Sequence, residues 1–139
     1  MALSPTTISD FLFPAPARRS AAAIFIWWEA RRLHFNLLVG GAGTFSLCVI
    51  AALHWLPPQR QPFPLEILPG ALVFGVAANV FYLLGPSAEC VLARIWGRKL
   101  LPAGPVLFRM GLTFSLGLAL LPSMVAALDW GFRLLRWLF

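Results

Sequence analysis

The sequence is poor in charge, and the little it has is one-sided. Five side chains are acidic (Asp10, Glu29, Glu66, Glu89 and Asp129), and a single lysine accompanies ten arginines. Charged residues make up 12% of the 139 positions and hydrophobic residues 60%, where a soluble domain holds roughly 25% and ~45–50%. Mean hydropathy is +0.81. So little charge excludes an ordinary soluble surface, and the length allows one compact unit. Scattered acids leave no carboxylate pair, no Ser–His–acid set at one depth and no HExxH, so catalysis is not expected.

Cysteine is nearly absent. Cys48 and Cys90 both lie inside apolar runs, with no CxxC or Cys/His spacing, which excludes a zinc site or a disulfide framework. They read as small residues facing lipid or a neighbouring helix. The glycine-containing VGGAG (Val39–Gly43) lacks the flanking strand and the lysine of a phosphate loop. No signal peptide is expected in the first 32 residues, because Asp10, several prolines and Arg18–Arg19 interrupt any apolar stretch.

What is abundant is long apolar sequence. Three runs, 33–56, 70–93 and 106–128, have 23 or 24 residues each, which is ~35 Å of helix against a ~30 Å hydrocarbon core. None alternates polar with apolar residues, so a barrel is excluded and the backbone must satisfy itself as helix. The expected fold is all-α: three transmembrane helices with amphipathic interfacial segments at both termini. The N-terminal segment is 1–32, with ISDFLF as its amphipathic part. A Pro-rich outer loop (57–69) and a basic loop (94–105) join the spans, and 129–139 forms an interfacial tail. A bend at Pro122 would lay that tail along the membrane surface.

The arginines sit at the borders of the runs, a pattern of topology signals and not of nucleic-acid binding. With the N-terminus inside, eight cations (Arg18, Arg19, Arg31, Arg32, Arg94, Arg98, Lys99, Arg109) face the cytoplasm and three (Arg60, Arg133, Arg136) face outward. This predicts N-in, C-out. The tryptophans agree: Trp27, Trp28 and Trp96 fall at the inner boundary, and Trp55, Trp130 and Trp137 at the outer one. Trp27, Trp28, Arg31 and Arg32 are therefore expected to be interface anchors.

Several polar groups are not explained by anchoring. In the second run Asn79, Tyr82, Pro86 and Glu89 share one helical face with Gly75. Glu89 lies about one turn inside the inner boundary and needs a partner, Arg109 first and then Arg31 or Arg32, with His34 and Asn36 at the same level. The pair would fix packing; the alternative is a proton or cation relay through Glu89, Tyr82 and Asn79. Small residues mark helix contacts: Gly40, Gly43 and Thr44 on the first span, Gly75 on the second, and Gly111/Ser115 beside a separate Thr113/Gly117 face on the third. One of those two faces would serve the bundle and the other a partner.

His34 and His54 lie ~30 Å apart along one helix and cannot share a metal within the chain. Either is a candidate axial ligand for a haem or a chlorophyll-type pigment, although nothing in the sequence requires a cofactor. The expected function is that of a small non-catalytic accessory subunit of a larger complex in the bacterial cytoplasmic membrane. Its partners would be the bilayer and other membrane subunits or itself, with no nucleic acid. The rivals are a proton-conducting oligomer and a cofactor-bearing subunit of a respiratory or photosynthetic complex.

Overall fold

The computed structural model describes residues 20–58, 60–96 and 103–139. Its helices are α1 (Ala21–Trp55), α2 (Ile67–Tyr82), α3 (Leu84–Trp96) and α4 (Gly104–Leu138). The chain is all-helical over the described residues. Among the described residues, three helical stretches are long and apolar enough to cross a membrane, Ala21–Trp55, Ile67–Ile95 and Gly104–Leu138.

α1 starts at Ala21, well before the apolar run that begins at residue 33. Three consecutive alanines, strong helix formers, open it. Ser20 caps it, its Oγ accepting the Ala23 N–H at 3.2 Å, which satisfies one of the unpaired first-turn donors. Ile24 to Arg32 thus belong to the first turns of the same continuous helix as the apolar run. The helix stops at Trp55 because Pro57 and Pro58 follow, and residues before proline avoid helical backbone.

α4 opens at Gly104 with Pro105 in its first turn, where a missing N–H is harmless. It runs on through Pro122 to Leu138, so residues 129–138 of the expected interfacial tail are helical and continuous with the third span. Proline is tolerated in apolar helices where neighbouring groups relieve the lost bond. Asp129 and Arg133 lie on this extension, 3.1 Å apart and one turn from each other.

The second span is interrupted. A turn at Leu83 separates α2 from α3, just before Gly85–Pro86. The Pro86 ring crowds the carbonyl four residues back and offers it no donor. At the break the Leu83 N–H turns to the Val80 carbonyl at 3.1 Å, and Ser87 Oγ donates to the Leu83 carbonyl at 2.8 Å.

The tightest packing lies at one end of the bundle. Ile24, Trp27, Trp28 and Phe35 of α1 meet Tyr82 of α2 and Phe108 of α4 there. From that end a seam between α1 and α4 continues through Ser46 and Ile50 on α1 and Ala119 and Ser123 on α4. At the far end Trp130 Nε1 donates to the Pro57 carbonyl at 2.9 Å. α2 is different: of its 16 residues only Ala78 and Tyr82 are buried, so most of it stands away from the other helices.

Candidate functional site

Glu89 is the centre of the polar arrangement at the packed end. It is 5% exposed, and its Oε2 accepts the indole N–H of Trp28 at 2.8 Å. The carboxylate also lies against the start of α4: a Cβ added to Gly104 would sit 2.6 Å from Oε2. A helix N-terminus carries about half a positive charge on unpaired N–H groups, which favours a carboxylate beside it. One carboxylate therefore ties three helices together: α1 through an indole, its own α3, and α4 through the positive end of its dipole.

Trp28 is held from several sides. It is 3% exposed, and its backbone carbonyl accepts the Tyr82 hydroxyl at 2.6 Å. Its ring lies edge-on to Tyr82 at 5.4 Å and to Phe108 at 5.8 Å between centroids. A Cβ at Gly85 would overlap the six-membered part of the indole, so the absence of a side chain there admits the ring. Phe108 is also edge-on to Trp27 at 6.1 Å and to Tyr82 at 6.4 Å. Such pairs add ~0.5–1.5 kcal/mol each beyond the area they bury. In lipid, where apolar burial drives little, packing and hydrogen bonds of this kind carry much of the association.

The structure corrects the expected partner of Glu89. Arg109 is exposed on α4 and makes no ion pair among the described residues, because it projects from a different side of α4 than Phe108 and Gly104. Trp27 and Trp28 are corrected too: they are core residues and not a lipid-facing belt. Arg31 is likewise buried. Its Nη1 donates to the Trp27 carbonyl at 2.7 Å and its guanidinium lies 3.9 Å over the Trp27 ring. Arg32 remains near the surface, paired with Glu29 at 3.1 Å. Trp55 and Trp137 are exposed, whereas Trp130 is partly covered. The side chain of Trp96, ISDFLF and the cations Arg18, Arg19, Arg98 and Lys99 lie outside the described residues.

Among the described residues the polar face of the second span does not form a continuous hydrogen-bonded chain from Asn79 to Glu89. Tyr82 bonds to Trp28, while Asn79 Nδ2 donates back to the Gly75 carbonyl of its own helix at 3.1 Å. Thr44 does the same, its Oγ1 donating to the Gly40 carbonyl at 2.9 Å. Gly111 and Ser115 line a hollow that also includes Phe81, Gly85 and Trp28, so that small-residue face looks toward α2 and α3. Thr113 and Gly117 are exposed. His34 is half-buried on α1, and His54 Nδ1 donates to the Ile50 carbonyl at 2.8 Å. Asn36 is exposed on α1, facing a cleft between α1 and α2.

Gly85, Gly104 and Phe108 were not singled out by the sequence. The signal that could have found them is the pair Gly85–Pro86 and Gly104–Pro105: a glycine beside a helix-punctuating proline marks a place where another group approaches the backbone closely. Comparison with protein families, curated proteins and solved structures finds no match to this chain.

Proposed function

We propose that this chain is a small non-catalytic integral membrane protein, an accessory or structural subunit that packs within a larger complex of the bacterial cytoplasmic membrane. Its N-terminus lies in the cytoplasm and its C-terminus outside. The observation that carries this reading is the exposed face of α4 on which Arg109, Thr113 and Gly117 follow one another at four-residue spacing. An unpaired cation at the centre of a membrane helix costs ~2.5–3.5 kcal/mol, less toward the boundary. A carboxylate on a partner's helix removes that penalty, and the small residues beyond it let the two backbones approach.

The relay alternative has less support. Glu89 is enclosed by the Trp28 indole and the first turn of α4, and Asn79 turns its amide to its own backbone. The pigment-bearing alternative rests on His34 and His54 alone, one as the axial ligand of a pigment held mainly by a partner. Absorbance of the purified protein tests it directly.

The leading reading is tested by purification in mild detergent. The wild-type protein should migrate in a particle larger than its own micelle, and Thr113→Leu/Gly117→Leu should release it, while Gly131→Leu should leave the particle whole. Migration of the wild type as a lone chain in every mild detergent and in nanodiscs would refute the subunit reading.

A further inference from the structure

The splay of α2 from α1 leaves an open-sided cleft of about 920 Å³, within the ~300–1,000 Å³ range of small-ligand sites. The one charged side chain lining the cleft lies at one end. Arg32 and Asn36, one turn apart on α1, line that end; of the remaining lining, Thr44 and Asn79 turn their side chains back to the Gly40 and Gly75 carbonyls, and the rest is apolar or glycine. At Gly40, Gly43 and Gly75 an added Cβ would meet nothing within 4 Å, so these glycines widen the space and are not covered by a neighbouring helix.

The polar end has donors to spare. A guanidinium offers five N–H donors, and Arg32 gives only Nη1 to Glu29. Its guanidinium is steadied 5.9 Å from the centroid of the Tyr82 ring. The Asn36 side chain has no hydrogen bond among the described residues and is exposed toward the same cleft. Arg31 and Arg32 against Glu29 leave this neighbourhood net positive.

Length selects the occupant. From Arg32 to Leu47, the far wall on α1, is fifteen residues or ~22 Å of helix. One leaflet with its headgroups is half of a ~40–45 Å bilayer, ~20–22 Å. A helix of a partner crossing the membrane would need a groove over the whole thickness. We propose that this cleft binds one anionic phospholipid, of the inner leaflet on the N-in orientation proposed above. Its phosphate sits between Arg32 and Asn36, and one acyl chain runs past Gly40 and Gly43 toward Leu47, against Gly75 of α2. The site is separate from the α4 face assigned to a protein partner.

The test is native mass spectrometry of the delipidated full-length protein, titrated with dioleoyl phosphatidylglycerol or dioleoyl phosphatidylcholine. One phosphatidylglycerol should be retained, preferred over phosphatidylcholine about fivefold, the factor corresponding to a contribution of about 1 kcal/mol from one surface cation. Arg32→Ala should bring the preference near one. Gly43→Leu, which fills open space and so should leave the melting temperature unchanged, should abolish retention of the lipid. Equal binding of both lipids that Arg32→Ala does not alter would mean ordinary boundary lipid and would overturn the proposal. So would a Gly43→Leu variant that keeps the lipid but loses a second copy of the chain or its partner. Soluble glycerol phosphate competing as well as the lipid would assign the site to a free phosphate, which also overturns it.

Discussion

Replacing Trp28 by Phe keeps a large ring in the core and removes the single N–H that reaches Glu89 at 2.8 Å. A hydrogen bond to a charged group contributes ~1.5–3 kcal/mol in soluble proteins, and polar contacts between membrane helices average ~0.6 with a maximum of ~1.7. Because Glu89 is almost fully enclosed, the upper part of the membrane range applies, and Trp28→Phe should destabilise by ~1.5 kcal/mol. Glu89→Leu removes the carboxylate, leaves the indole N–H without its partner at ~1 kcal/mol, and forfeits ~0.3–1 kcal/mol at the α4 N-terminus. The double variant removes donor and acceptor together, a change that is often nearly neutral when shape is kept. Trp28→Phe/Glu89→Leu should therefore be less damaging than the sum of its parts by ~1–2 kcal/mol. Reversible unfolding in mixed micelles, followed by far-ultraviolet circular dichroism, measures all four corners of the cycle. Strict additivity, with each single change within ~0.3 kcal/mol of wild type, would show that the contact does not hold the three helices in register.

Gly85→Ala must displace the Trp28 indole and should cost ~1–3 kcal/mol as overpacking does. Gly41→Ala, where a Cβ meets nothing within 4 Å, should be neutral or slightly stabilising in the same unfolding assay. Since Arg109 faces away from Glu89, exchanging the two charges as Glu89→Arg/Arg109→Glu should not restore the expression lost in Glu89→Arg; recovery to wild-type yield would reinstate a direct pair. For orientation, with Cys48 and Cys90 replaced by Ala, a membrane-impermeant maleimide should label Pro62→Cys in intact cells and Ser20→Cys only after permeabilisation. Labelling of Ser20→Cys in intact cells would reverse the assignment.

That the chain would form three helical stretches long and apolar enough to cross a membrane was legible in the sequence, because lipid imposes a rule on local composition. Some twenty consecutive apolar residues must close their own hydrogen bonds as helix, and Pro57–Pro58, Gly104–Pro105 and the other prolines of the connecting segments mark where they end. That Glu89 needed a buried partner was legible for the same reason, since a carboxylate in that setting is costly anywhere. Which partner it takes was not. Trp28 and Arg109 both lie at a plausible depth, and depth is a one-dimensional coordinate that sequence spacing supplies. The rotation of each helix about its axis is set by mutual packing. Only the tertiary structure turned Trp28 inward and Arg109 outward, through the space left by Gly85 and Gly104 and the aromatic contacts of Phe108. The same rotation and splay opened the α1–α2 cleft beside Arg32 and Asn36, because the gap between two helices depends on side chains that face each other across it and not on the order in which they occur along the chain.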